Sequence, residues 1–529
     1  MKALLMFEDR DFQTDTALLE ALERPYARRE APVDEPPVGQ GEMIQDFELE
    51  TLWKAMALDD PVVYVSARTA MLAGLGSVEQ IRYRQAVLTD ALAQPDVVRE
   101  IYGLAVQAII GEREIFRSSF ALTHSSSALL STSITRLEAF VPILQRLRAL
   151  TDEHADRFTS KGFTQFFDAL RHELDEDYFN EISEHLGYLR LRDGVLMSAR
   201  LGSGGQGIGY VLRAPSPDNR RFRFRRIMLN RPTHSYTVPP RDYAGGQALG
   251  RLRDRGVNLA ANALGQSTDH ILSFFTALRT ELGFYVGSLN LHDQLTAKRE
   301  PECLPDPHPL GTTVWSAKAL FDPCLSLRLP DRVQGNDLRA DGTPLLVITG
   351  ANQGGKSTFL RSLGLAQLMM QSGMAAPAES FAATVTTGVF THYKREEDAT
   401  MTSGKFDEEL ARMSTLVTAI DPGALLLCNE SFAATNEREA SEIADDFIHA
   451  MNDIDVKIVF VTHLYTLAHH YHRQHADTTV FLRAERGSDG QRPFRLTPAA
   501  PLPTSYGEDL YRRTFTETDT THTDTPASQ

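Results

Sequence analysis

Only three cysteines, Cys303, Cys324 and Cys428, occur in the 529 residues. They are odd in number, far apart and without a CxxC pair, which excludes a disulfide framework and a cysteine-built zinc site and points to a reducing compartment. No apolar run approaches the roughly 20 residues that a membrane-spanning helix needs. The opening, MKALLMFEDRD, meets acidic residues too early for a signal peptide, so a cytoplasmic location is expected. Positive charge is also short, with 54 Lys and Arg against 70 Asp and Glu and a formal net charge of −16. That excludes a globally basic nucleic-acid coat but leaves room for a local basic patch. A chain of this length exceeds one ordinary domain and can bury a large core.

The stretch that organises the rest is LLVITGANQGGKSTF, Leu345 to Phe359. An apolar strand runs into Gly350, Ala351, Asn352, Gln353, Gly354, Gly355, Lys356 and Ser357, which fits G-x-x-x-x-G-K-[ST], and a helix is predicted from Thr358 to Met370. Glycines let the backbone curl so that successive N–H groups face phosphate oxygens, and the following helix presents its positive end to them. Lys356 is placed to reach the β- and γ-phosphates of ATP, and Ser357 to put its hydroxyl on Mg²⁺.

Taken in order, residues 1–45 read as a lead-in with one helix and a Pro- and Glu-rich stretch. From Asp46 to residue 186 the apolar spacing is helical. Ser77, Val78, Glu79 and Gln80 fit a capping box, and an aromatic stripe through Phe163, Phe166, Phe167, Leu170 and Leu174 reads as core packing. Residues 187–240 change to short alternating runs, YLRLR, VLMSAR and FRFRR, a small β insertion. The G-x-G-x-x-G match at Gly202 to Gly207 has no following helix and precedes the phosphate loop, so it is expected to be a glycine-rich turn. In Arg220–Arg226 a strand would put Arg221, Arg223 and Arg225 on one face, able to grip a phosphate backbone without reading sequence. Residues 241–309 return as helix and linker. Residues 310–515 alternate LLVIT, ALLLC and IVFVT with helices, as a mostly parallel α/β sheet does, and 516–529 form a polar tail expected to be disordered.

Two more strand ends carry chemistry. The second closes on Asn429 and Glu430, where P-loop ATPases usually hold an acidic pair. Glu430 is placed to orient or deprotonate the attacking water, and Asn429 to hold the Mg²⁺ shell through a neutral amide, so slow turnover is expected. The third closes on His463, at the crevice end of an open sheet, where it could contact the γ-phosphate. His469, His470 and His472 lack a carboxylate at ligand spacing, and no metal site is read there.

With these residues in place, the C-terminal third resembles the ATPase domain of the MutS family of DNA mismatch-repair proteins. The resemblance rests on ordered strings: Gly335-Asn336-Asp337, TGANQGGKST, Pro377-Ala378, Val389-Phe390-Thr391, Ser403-Gly404-Lys405-Phe406 with Glu409, Asn429-Glu430, Thr435-Asn436, Thr462-His463 and Ser505-Tyr506-Gly507. It implies an ABC-type fold, a nucleotide contact at Asn336, and a dimer in which Ser403 and Gly404 act on the partner's ATP. Upstream, the helices and β insertion resemble the family's lever and clamp, which implies DNA backbone contact at the basic strand. The stretch before Asp46 is too short for the family's mismatch-reading domain, so mismatch recognition by that route is not expected. The expected function is thus a DNA-binding, dimeric clamp ATPase in mismatch repair or a related repair or recombination process. The rivals are a nucleotide-gated dimerising scaffold with little hydrolysis, which Asn429 favours, and a transporter or kinase-like P-loop ATPase, which the helical arm and missing membrane segment disfavour.

Overall fold

The computed structural model describes residues 1–23, 37–119, 125–192, 194–213, 234–351, 353–395, 404–486 and 493–502. Asn352, Ser403, the basic strand with Arg221, Arg223 and Arg225, and the tail 516–529 lie outside the described residues. The chain divides into two compact units, Met1–Phe12 with Ala93–Leu282, and Gln13–Leu92 with Gly283–Gln529. The helical stretch 46–186 is therefore shared between them, because the helices before residue 93 belong to the unit that holds the C-terminal sheets.

The first unit is helical: Pro95–Ser119, Ser126–His154, Lys161–Glu173, Glu176–Leu189, and Tyr243–Ala297 as far as Leu282. Three of these helices begin at side-chain caps. Ser125 accepts from the N–H of Ala128, Ser160 from that of Phe163 and Asp175 from that of Tyr178, each satisfying an N–H that the first turn leaves without a helical partner. The last cap starts a separate helix at Glu176, just after the helix that carries the aromatic stripe ends at Glu173. Phe158, Phe163, Phe166 and Phe167 are buried together, with the Phe158 and Phe163 rings 4.6 Å apart. The stripe is core, and each buried ring contributes roughly 1.5–3 kcal/mol. YLRLR is not a strand. Tyr188 and Leu189 finish a helix, and Arg190 caps it while its guanidinium donates to Glu138 at 2.6 Å. The hairpin β1 (Met197–Leu201) and β2 (Gly207–Leu212) does form, and the G-x-G-x-x-G match is its turn. Gly204 and Gly205 there have φ of 73° and 75°, which glycine adopts without strain.

The second unit holds two sheets. One orders β3 (Asp306–His308), β7 (Ser380–Thr384), β4 (Trp315–Leu320) and β5 (Asn336–Arg339). The other has six strands in the order β12 (Leu496–Pro498), β11 (Thr479–Ala484), β6 (Leu345–Gly350), β10 (Lys457–Val461), β9 (Leu425–Asn429) and β8 (Val389–Tyr393). All of these pair in parallel except β12, which is antiparallel to β11. The central strands read as unbroken apolar runs because a parallel sheet is covered on both faces, and Leu345 to Ile348 are all buried. Helix Lys356–Ser372 is buried nearly all round. The Phe47 ring lies against Gly364 so closely that a Cβ there would come within 2.1 Å of it, which leaves room for glycine alone.

Candidate nucleotide-binding site

Sheet register brings the chemistry to one edge. Ile348 pairs with Val461, and Val461 with Asn429, so β6, β9 and β10 end level and release the phosphate loop, Glu430 and Thr462–His463 side by side. This is the crevice at the carboxyl ends of an open α/β sheet. The loop turns on Gly350 and Gly355, with φ of 110° and 92°, and on Gln353 at 60°. A Cβ on Gly350 would stand 2.9 Å from the Ala484 backbone nitrogen. Gly355 caps helix Lys356–Ser372 without any side-chain hydrogen bond, which keeps the first-turn N–H groups around Ser357 and Thr358 unblocked by a capping residue.

Lys356 reaches back along its own loop, donating from Nζ to the Gly350 carbonyl at 2.8 Å and the Ala351 carbonyl at 3.2 Å. Burial lowers the pKa of this ammonium, and the nearby Glu430 carboxylate opposes the shift. Ser357 donates its hydroxyl to Asn429 Oδ1 at 3.0 Å across 72 residues of sequence. Glu430 occupies the left-handed region at φ 53°, and its N–H donates to the Val461 carbonyl at 2.8 Å. Together with Gly355, Lys356, Ser357 and Thr358 it lines a cavity of about 970 Å³.

Asn336 lines the same cavity, but its amide is engaged elsewhere. Nδ2 donates to the Phe494 carbonyl and Oδ1 accepts from Leu496 N–H at 2.7 Å, which clamps the approach to β12. Phe494, half-exposed beside Gly355, is a cavity residue that sequence reasoning missed. It sits 158 positions from the asparagine that holds it, and no local signal marks it. Asp322 and Arg361 were missed for the same reason. Asp322 lines the cavity wall, accepts from Arg361 at 2.5 Å and caps helix Pro323–Arg328, while Glu48 pairs with both Arg361 and Arg328. His463 is exposed and follows Thr462 at the same edge, but it does not line the cavity. Gly404 caps helix Lys405–Val417, also outside the cavity lining. Cys428, the last residue but one of β9, is fully buried, and burial pushes its thiol up to about 12, so it is an inert part of the core.

Comparison with known families agrees with this geometry. Residues 76–298 match the model of the MutS2 N-terminal domain, and residues 346–507 match that of MutS domain V. The chain belongs to the MutS family. Domain V is the family's ATPase domain, and here it spans the six-stranded sheet from β6 onward. Among characterised relatives, "Endonuclease MutS2" of Lactobacillus helveticus is 31% identical over 136 residues, 25% of this chain and 17% of that protein. "DNA mismatch repair protein MutS" of Chloroflexus aurantiacus is 29% identical over 150 residues, 27% and 16% of the two chains. "MutS protein homolog 4" of Mus musculus is 29% identical over 137 residues, 26% and 14%. The aligned segments thus span under a fifth of each relative's own length. No helix among the described residues is long and apolar enough to cross a membrane.

Proposed function

We propose that this MutS-family ATPase binds and hydrolyses ATP with Mg²⁺, dimerises through its nucleotide units and acts on DNA in mismatch repair or a related repair or recombination process. The convergence of Lys356, Ser357, Asn429 and Glu430 at one sheet edge supports this reading. In this scheme the loop N–H groups of Gly350–Thr358 and the Lys356 ammonium hold the phosphates, and Glu430 orients and deprotonates the attacking water. The Ser357 and Asn429 oxygens, 3.0 Å apart and uncharged, suit Mg²⁺ that keeps several waters and phosphate oxygens. Bound Mg²⁺ supplies neutralisation of charge on the β- and γ-oxygens. His463 reports the γ-phosphate, and Ser403 and Gly404 complete the partner's site. Arg221, Arg223 and Arg225 grip the DNA backbone.

The test is ATP turnover by the purified protein with and without duplex, mismatched and branched DNA. Lys356→Ala and Glu430→Gln are each expected to lower turnover by roughly a hundredfold or more. A Lys356→Ala protein that hydrolysed ATP normally would overturn the assignment. Mixing Lys356→Ala with Ser403→Ala subunits should restore part of the activity that each lacks alone, since one subunit supplies the loop and the other the signature; no restoration would refute action across the dimer.

The neutral Asn429 supports a second reading, a dimerising scaffold gated by nucleotide with little hydrolysis. A neutral hydrogen-bond partner contributes roughly 0.5–1.5 kcal/mol where a charged one gives about 1.5–3. Asn429→Asp should then raise Mg²⁺-dependent turnover, and an unchanged rate would show that Asn429 is not limiting.

A further inference from the structure

Glu430 and Phe432 both lie in the left-handed region, with φ of 53° and 64°, on either side of Ser431. Neither is glycine, so each costs about 1 kcal/mol or more unless its surroundings hold it there. Two side chains from elsewhere in the nucleotide unit do so. His392, on β8 beside Cys428 of β9, places Nδ1 2.7 Å from Ser431 Oγ, and Ser431 Oγ lies 2.9 Å from the His392 carbonyl oxygen. A serine hydroxyl has one proton. With that proton donated to the carbonyl, Nδ1–H must donate to Oγ, which fixes the neutral Nδ1–H tautomer of His392. The surroundings favour the neutral ring, since burial pushes His392 down to about 4, with Arg412 adding to the shift, the Glu409 backbone opposing it and Arg395 adding again. On the far side of Ser431, Glu409 Oε1 accepts the Phe432 N–H at 2.6 Å, and the Phe432 ring packs near that of His392. His392, Ser431, Glu409 and Phe432 are all buried, so water cannot substitute for these contacts.

We infer that His392 and Glu409, acting through Ser431 and Phe432, are positioning residues that hold the turn carrying Glu430 and so aim its carboxylate at the attacking water. The inference rests on the reading of Glu430 as the group that promotes hydrolysis. Among the described residues, neither His392 nor Glu409 lines the cavity. They lie on β8 and on helix Lys405–Val417, and they act on the strained turn from behind.

The experiment measures ATP turnover and mant-ATP affinity for His392→Leu, His392→Asn, Ser431→Ala, Glu409→Ala and Glu430→Gln in the full chain. His392→Leu, Ser431→Ala and Glu409→Ala should each lower kcat roughly tenfold, with nucleotide Kd unchanged to about twofold. His392→Asn should keep most of the activity, because its Nδ2–H can take the place of Nδ1–H. In the Glu430→Gln background none of the three should lower the residual rate further. A kcat that stays at the wild-type level in Ser431→Ala and His392→Leu, while Glu430→Gln is inactive, overturns the positioning inference alone. A Glu430→Gln protein with normal turnover instead overturns the reading of Glu430 on which the inference depends. Loss of nucleotide affinity in step with kcat, or no rescue by His392→Asn, would assign these residues to general stability and also overturn it.

Discussion

Replacing Arg361 by Met tests how the cavity wall at Asp322 is held. The Arg361 side chain is 14% exposed, and its guanidinium donates to Asp322, whose side chain is 0% exposed, and also pairs with Glu48. Methionine fills much of the volume but leaves Asp322 charged, buried and short of its counter-ion, whereas Glu48 keeps Arg328. Removing one partner of a buried pair costs about 3–5 kcal/mol. Typical domains are stable by only about 5–15 kcal/mol, so the loss should be plain in denaturation. The cost should depend on pH. Burial already raises the Asp322 pKa above its ordinary 3.8 against the pull of Arg361, and losing Arg361 raises it further. A carboxyl raised in the folded state binds more protons there than in the unfolded chain, so stability falls as pH rises through that interval. The deficit of Arg361→Met should therefore be larger at pH 8 than at pH 5. Urea titration followed by tryptophan fluorescence reads this unit alone, because the two tryptophans, Trp53 and Trp315, are both buried within it. Arg361→Met/Asp322→Asn should regain most of the loss, since asparagine still accepts the Leu325 N–H that Asp322 caps. An equal cost at both pH values, a loss below about 1 kcal/mol, or no recovery in the double variant would refute the reasoning.

Gly364→Ala should destabilise the same unit by about 1–3 kcal/mol through overpacking against Phe47, although alanine is the better helix former, and Phe47→Leu should relieve it; the urea midpoint reads both. In the helical unit, Glu281 is buried and accepts the N–H groups of Leu5 at 2.5 Å and Met6 at 3.1 Å, yet burial raises its carboxyl to about 7. Its contribution to stability is full below its ordinary 4.5 and is lost as pH rises toward 7, so Glu281→Gln should flatten the pH dependence of helix melting between those values, as followed by circular dichroism. Replacing Arg221, Arg223 and Arg225 together by Ala should weaken duplex binding alike for all sequences and reduce the slope of log K against log salt by roughly three; an unchanged slope would remove the basic strand from the DNA contact.

What could be read from the sequence depended on how far apart the cooperating residues lie. The phosphate loop was legible because its eight positions are contiguous and its glycines are required by backbone angles that the structure adopts at Gly350 and Gly355. Parallel strands announced themselves through apolar runs, and the Phe163 stripe through its spacing. The second sheet escaped because β3 and β5 have only three and four residues, and strands that short acquire meaning only from distant partners. Asp175 falls inside a stretch whose apolar spacing is helical, yet its side chain caps the start of a separate helix at Glu176. The turn at Glu430 shows the same limit at the site itself. A sequence can place a glutamate after a strand, but the left-handed angle that aims it is unfavourable locally. It is held there by contacts from far along the chain: the Val461 carbonyl takes the Glu430 N–H, and His392, 39 residues upstream of Ser431, and Glu409, 23 residues upstream of Phe432, reach the turn through the fold. Local propensity opposes that conformation, so no local pattern can reveal it. Conflict between a residue's preferred angle and its observed one is then the structural mark of a position that its neighbours are built to control.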